Sequence, residues 1–142
     1  MKTRFFLTTV FVLTVYAGNS QCLDFVKSKG FDILDTEKYV PEGRFDAMIL
    51  SEGDNLSVYK TFFRGKTYRI VVTTDESIAS VHFQIKTMQG QIMYDNKDNL
   101  NMKFWDYTSD KNQNLMVYVD ILPPKSAKVN SGCVAVILGY KM

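Results

Sequence analysis

The feature of this chain that most constrains its fold is a succession of eight short apolar-rich runs separated by turn residues. Apolar and polar residues alternate within runs such as 81–86 and 115–121, which places the apolar side chains on one face of a strand. The separators are rich in Gly, Asp, Asn, Ser and Pro, the residues that tight turns favour. Short strands at regular spacing predict an all-β fold, an antiparallel β-sandwich of jelly-roll type. The predicted strands are 44–51, 56–63, 67–74, 80–87, 91–94, 102–107, 114–122 and 133–141.

Three local patterns refine this prediction. The last run, 133–141, is apolar on both faces, so we expect it at the centre of a sheet with covering elements on both sides. Residues 22–29 carry a short apolar stripe at helical spacing, and Gly30 is predicted to end this N-terminal helix. The Pro-Glu-Gly sequence at 41–43 is predicted to form a turn before the first strand.

Residues 1–20 have the composition of a signal peptide. Two basic residues precede the apolar stretch 5–17, and small residues occupy positions −3 and −1 of a cut before Gln21. The alternative is a membrane anchor, but the stretch of 13 residues is shorter than the roughly 18 that span a bilayer. We therefore predict a signal peptide followed by one soluble domain, 21–142, that is secreted or periplasmic and has no transmembrane anchor.

The charge of the mature chain argues against nucleic acid as a partner. Removal of the signal peptide takes two of the 17 basic residues and none of the 15 acidic ones, so the mature formal net charge is zero. Acids and bases are interspersed along the chain, whereas a polyanion requires a clustered basic face. The partners predicted are an extracellular or periplasmic protein or a glycan.

Two cysteines remain after cleavage, Cys22 and Cys133. In an oxidising compartment an even number of cysteines in a small chain favours a disulfide, which would join the mature N-terminus to the last strand. One alternative is lipidation of Cys22, but Asn19 and Gln21 occupy the positions where a lipoprotein signal has an aliphatic and a small residue. A pair of buried free thiols is the other alternative.

Three runs together resemble known secreted modules. Residues 56–72, 81–94 and 132–140 look like the strand order of the bacterial pre-peptidase C-terminal domain and of GOLD-type sandwiches. In those families a hairpin with the spaced pattern Tyr…Phe…Gly…Tyr-x-Val is followed by a strand, a Gly turn at a position like Gly90 and a late closing strand. The chain also resembles a group of small secreted bacterial proteins of unknown function. The resemblance covers most of 45–141 and implies a jelly-roll-like accessory or binding module.

The sequence predicts no catalytic residues. His82 is the single histidine and is predicted on the outward face of its strand, so a zinc site of ordinary composition lacks a second His. No serine lies in a Gly-x-Ser-x-Gly elbow, and the predicted disulfide removes a cysteine nucleophile. Paired carboxylates for glycoside hydrolysis depend on the fold, so a small hydrolase is the least favoured alternative.

One loop offers hard oxygen ligands. Asp95, Asn96 and Asp98 lie within five residues, and Ca²⁺ prefers carboxylate and amide oxygens. The loop lacks EF-hand spacing and contains a lysine, and Asp and Asn are also the residues of an ordinary tight turn. Calcium binding and a plain turn are therefore both hypotheses for this loop, and no other cofactor is predicted.

An aromatic cluster is the second candidate binding feature. Trp105 and Tyr107 share one face of their strand, and Tyr118 lies on the polar face of the next one. If the two strands are neighbours, these rings and the nearby Asp106 and Asp120 form an exposed shelf suited to stacking on sugars or anchoring a protein. The alternative is that Trp105 and Tyr107 face the core.

These patterns predict a secreted, non-catalytic binding or accessory module. One hypothesis is glycan or cell-envelope binding through the aromatic face. The other is docking of a sheet edge or an exposed apolar face on another secreted protein.

Overall fold

The computed structural model describes residues 22–35 and 38–142. The predicted signal peptide and its cleavage site lie outside the described residues. A π-helical turn, Val26–Gly30, leads into a short α-helix, α1 (Phe31–Asp35). Eight strands follow: β1 (Tyr39–Ser51), β2 (Asn55–Phe62), β3 (Thr67–Thr74), β4 (Val81–Thr87), β5 (Ile92–Asp95), β6 (Phe104–Thr108), β7 (Gln113–Ile121) and β8 (Ser131–Lys141).

The strands form two four-stranded antiparallel sheets with jelly-roll connectivity. The first sheet has the order β1-β8-β3-β6 and the second has the order β2-β7-β4-β5. Chain neighbours β1 and β2, β3 and β4, β5 and β6, and β7 and β8 therefore lie in different sheets. The predicted all-β sandwich is confirmed.

Seven of the predicted strands match observed strands to within two residues at either end. The exception is β1, which begins at Tyr39 and runs through the predicted 41–43 turn. Its register against β8 shifts between Pro41 and Phe45, and Gly43 has a φ of 90°. The turn prediction is wrong because a β-bulge recruits the same residue types as a turn.

The main core lies between the two sheets and includes the inward side chains of β4 and β7 that the alternation predicted. It contains three residues from each of β3 and β8, three from β4 and four from β7. They are Tyr68, Ile70, Val72, Val134, Val136, Leu138, Val81, Phe83, Ile85, Leu115, Val117, Val119 and Ile121.

A second core covers the outer face of the first sheet. Val26 and Leu34 of the helical segment are fully buried against Ala135 and Ile137 of β8. β8 lies between β1 and β3 and is covered on both faces, which confirms the position predicted from its apolar pattern. Within the described residues no helix is long and apolar enough to cross a membrane.

Gly30 does not end the helix. The backbone N–H of Phe31 donates to the Val26 carbonyl, and α1 continues to Asp35. A Cβ on Gly30 would overlap the side chain of Ile137, so this glycine allows close packing of the helical segment on β8. The predicted helix end at Gly30 is wrong. A glycine is needed here because a larger residue would clash with β8, and not because the chain leaves the helix.

The predicted disulfide joins Cys22 to Cys133, with a Cα–Cα distance of 5.4 Å. Both cysteines are buried. The bridge fixes the start of the helical segment to the start of β8, at one end of the sandwich.

Candidate functional site

Two aromatic residues of β6, Trp105 and Tyr107, point between the sheets, whereas Phe104 lies on the outer face of the first sheet. The rings of Trp105 and Tyr107 stack with centroids 5.0 Å apart, and Trp105 stacks on Tyr94 of β5 at 5.3 Å. Tyr107 meets Phe62 of β2 edge-on, at 5.9 Å. Trp105 and Tyr107 are half-buried against the main core and close the side of the sandwich formed by edge strands β5 and β6.

The predicted shelf of Trp105, Tyr107 and Tyr118 does not form. β6 pairs with β3 in the first sheet, whereas β7 lies in the second sheet. Tyr118 is on the outer face of that second sheet, with the Lys86 ammonium 4.7 Å from its ring centroid. The shelf prediction is wrong because it required β6 and β7 to be neighbours, and strand pairing is decided by contacts that are not local in sequence.

Replacing Trp105 with Ala is expected to lower the free energy of unfolding by about 2–4 kcal/mol, because the change removes a ring stacked between two tyrosines and leaves a cavity. Urea denaturation followed by circular dichroism measures the loss. Phe63→Ala is the control, since Phe63 is 48% exposed in a loop and its loss is expected to cost less than about 1 kcal/mol. Equal costs for the two variants would contradict a packing role for Trp105.

Asp106 and Asp120 lie in different sheets, and Asp106 forms an ion pair within the protein. Its carboxylate accepts hydrogen bonds from Nε and Nη2 of Arg69, each at 2.8 Å. This bidentate pair lies on the outer face of the first sheet, opposite to the side on which Trp105 packs. Asp120 lies on the outer face of the second sheet, across from His82. The two acids therefore do not act on one ligand surface.

The candidate calcium loop is ordered by protein hydrogen bonds. Asp95 accepts hydrogen bonds from His82 Nε2 at 2.8 Å and from Gln84 Nε2 at 2.6 Å. The buried Asn96 accepts the Phe83 N–H at 2.8 Å and donates to the Val81 carbonyl at 3.0 Å. Asp98 is exposed in the same loop.

No three His, Cys, Asp or Glu side chains of residues 22–35 and 38–142 are grouped to hold a metal ion. The oxygens of Asp95 and Asn96 extend the β4–β5 pairing through the hydrogen bonds just described. Calcium binding by this loop stays a prediction.

The electrostatics of the loop follow from these bonds. Burial acts to raise the pKa of Asp95, but hydrogen bonds from Gln84, His82 and the Lys97 N–H outweigh it, and the pKa lies below its ordinary value. Burial, with a smaller effect from the charge of Asp95, raises the pKa of Tyr94. Asp95 is therefore ionised at neutral pH and holds His82 on the sheet surface.

The two outer faces of the sandwich differ. The helical segment covers the face of the first sheet, whereas the outer face of the second sheet carries no covering element within the described residues. We call this surface the open face. Four outward side chains, one from each strand of the second sheet, form a row across this face. Four more form a second row beside the first. The first row is Tyr59, Met116, Lys86 and Ile92, and the second is Ser57, Tyr118, Gln84 and Asp95.

The open face is amphipathic. Tyr59 is 60% exposed and Ile92 is 51% exposed, while Met116, Tyr118 and Lys86 are half-buried. Of the residues predicted for ligand or metal binding, Tyr118, Asp120 and Asp95 lie here. Sequence reasoning missed Tyr59 and Ile92, although Tyr59 follows the buried Val58 in the period-two pattern and so had to face outward.

Comparison with known proteins identifies the architecture only. No family model and no curated protein matches the chain. Among solved structures the chain is similar to the crystal structure of Aeromonas hydrophila PliG, a periplasmic lysozyme inhibitor of g-type lysozyme. The TM-score is 0.51 at 8% sequence identity, over 69% of this chain and 85% of that chain. At this identity the likeness concerns the fold. The resemblance to pre-peptidase C-terminal and GOLD-type modules stays a prediction.

Proposed function

We propose that this chain is an exported, non-catalytic module that binds another protein through its open face. The observation that carries the proposal is the asymmetry of the sandwich. One sheet is sealed by a disulfide-anchored helical segment, and the other presents a flat surface of Tyr, Met, Ile and Lys side chains. Tyrosine and methionine are enriched at protein interfaces, and a flat sheet without a deep cleft suits a macromolecular partner better than a small substrate.

The sheet edges are less suited to docking than the open face. β1 is interrupted by a bulge, and its Asp46 forms an ion pair with Lys60 of β2 at 2.7 Å. A bulge and inward-pointing charges are devices that oppose edge-to-edge pairing. On the other side, β5 and β6 are short, and the Trp105 stack closes the gap between them. Docking by strand addition therefore receives no support from this architecture.

Export and the fold neighbour support the same proposal. The disulfide fits an oxidising compartment, in agreement with the predicted signal peptide. PliG shares the architecture and is a periplasmic inhibitor of g-type lysozyme. A g-type lysozyme is accordingly the first partner to test.

The test compares two pairs of substitutions in the mature chain. Tyr59→Ala with Ile92→Ala alters the open face, and Ile49→Ala with Val129→Ala removes exposed apolar side chains elsewhere. Binding is measured by calorimetry against g-type lysozyme and against partners recovered by crosslinking from exported proteins and then purified. We expect the open-face variant to bind at least about tenfold more weakly and the control to bind like the parent chain, since exposed aromatic anchors dominate interface energy.

Two outcomes would contradict the proposal. Unchanged binding by the Tyr59 and Ile92 variant would exclude the open face, provided that both variants keep the parent unfolding midpoint. Binding on a glycan array, without any purified protein partner, would favour the glycan hypothesis instead. Of the residues predicted for the shelf, Tyr118 and Asp120 lie on the open face and would remain for the glycan hypothesis.

A further inference from the structure

The jelly-roll topology gathers three loops at the end of the sandwich away from the disulfide. These loops are 63–66 between β2 and β3, 88–91 between β4 and β5, and 109–112 between β6 and β7. The last residues of β8, including Lys141, reach the same end. We call this group the loop end. It lies on a different surface from the open face.

The backbone of the loop end is fixed by hydrogen bonds between loops. The Gly65 N–H donates to the Ser109 carbonyl at 2.7 Å, and the Ser109 N–H donates to the Lys66 carbonyl at 3.0 Å. The Arg64 N–H donates to Asn112 Oδ1 at 2.8 Å. Loops 63–66 and 109–112 are thereby held as one unit, and their side chains are presented in a defined arrangement.

The loop end is basic although the mature chain is neutral. Arg64, Lys66, Lys111 and Lys141 are exposed, and Asp110 is the acid of the three loops. The Lys66 ammonium lies 5.3 Å from the ring centroid of Tyr140, which keeps this charge at the surface. A cluster of four cations around one acid attracts an anionic partner.

Apolar side chains accompany these cations. Phe63 is 48% exposed and Met88 is 56% exposed, and Lys66 lies 5.8 Å from the Phe63 ring centroid. A cleft of about 390 Å³, lined by Thr87, Gln91 and Lys111 among others, connects the Met88 loop to the basic loops. Two exposed apolar side chains therefore lie at the same end of the molecule as the cations, and one of them, Phe63, contacts Lys66.

We infer that the loop end binds membranes rich in anionic phospholipid. Lys and Arg side chains would contact the lipid phosphates, and Phe63 and Met88 would enter the boundary between headgroups and acyl chains. An anionic sugar polymer would satisfy the cations but would leave both apolar side chains in water. A lipid surface offers anions and an apolar interior within a few ångströms, which matches both features of the loop end.

The experiment measures partition of the mature chain into vesicles of phosphatidylcholine, with and without phosphatidylglycerol, by cosedimentation. The parent chain should partition into the vesicles that contain phosphatidylglycerol, and more weakly as salt is raised. Arg64→Gln with Lys66→Gln should weaken partition about 30-fold, since each cation near an anionic surface contributes about a factor of five. Phe63→Ser with Met88→Ser should also reduce partition, which would distinguish insertion from simple charge attraction.

The matched control is Lys125→Gln with Lys128→Gln. These two lysines are exposed in the loop between β7 and β8, at the opposite end of the sandwich, and carry the same total charge. The control should partition like the parent chain, and so should the Tyr59 and Ile92 variant of the open face. Equal loss in the loop-end and control variants would overturn the inference. Retention on an anionic polysaccharide without binding to vesicles would also overturn it.

Discussion

Replacing Arg69 with Met is expected to lower the free energy of unfolding by about 3–5 kcal/mol, although Met retains much of the apolar stem of the side chain. The change removes the charged hydrogen bonds and the aromatic contacts of the buried guanidinium, whereas Asp106, whose side chain is 36% exposed, can still be hydrated. Arg69 lies on β3 at the outer face of the first sheet, and only 1% of the residue is exposed.

The surroundings of Arg69 explain the size of this effect. Its guanidinium carbon lies 4.4 Å from the Tyr39 ring centroid and 4.0 Å from that of Phe104, so two aromatic rings contact the cation. Nε and Nη2 bind Asp106, and Nη1 donates to the Ile33 carbonyl of α1 at 3.1 Å. Arg69 therefore connects β1, β3, β6 and the helical segment. Its loss should weaken the second core as well as the ion pair.

Urea denaturation of purified Arg69→Met measures the loss, with Arg64→Met as the control at an exposed arginine. We expect the control to change stability by less than about 0.5 kcal/mol. Asp106→Asn should cost less than Arg69→Met, because the Asp106 side chain is 36% exposed and the amide still accepts one hydrogen bond. Equal stability of Arg69→Met and the parent chain would show that the pair contributes no more than an apolar replacement.

The fold could be predicted from the sequence because its signals are local. Period-two alternation and turn residues define the strands without knowledge of their partners, and the apolar pattern of 133–141 on both faces predicts a central strand. The ambiguous positions are those where one residue type serves two purposes. Gly43 suits both a turn and a bulge, and Gly30 suits both a helix end and close packing.

The candidate site could not be predicted in the same way because it depends on strand pairing. Trp105 would lie beside Tyr118 if β6 paired with β7, but β6 pairs with β3, and this choice turns Trp105 towards the second sheet. Asp106, which was predicted beside a sugar ligand, instead forms an ion pair with Arg69, which the register places opposite it. The apolar pattern of 133–141 and the predicted disulfide indicate that the helical segment covers the sheet of this strand. The side chains that share the open face, by contrast, follow only from the pairing of β2, β7, β4 and β5.

The second large effect is expected from the disulfide. Replacing Cys22 and Cys133 together with Ala is expected to lower the free energy of unfolding by about 2–5 kcal/mol. The bridge joins residues 111 apart, and in the chain-entropy model a loop of this length contributes about 4.7 kcal/mol by restricting the unfolded chain. The bridge also holds the helical segment against β8, where Val26 is fully buried.

Two measurements separate these contributions. Addition of a reductant should destabilise the parent chain and leave the Cys22→Ala, Cys133→Ala variant unchanged, which shows that the effect arises from the bond. Hydrogen exchange in the reduced protein should rise in the helical segment and along the first half of β8, while β4 and β7 of the second sheet stay protected. The reason is that the second core depends on the anchored segment, whereas the main core between the sheets does not. Uniform exchange across both sheets would mean that the sandwich itself unfolds without the bridge, and the helical segment could then not be treated as a separate cover on an otherwise stable fold.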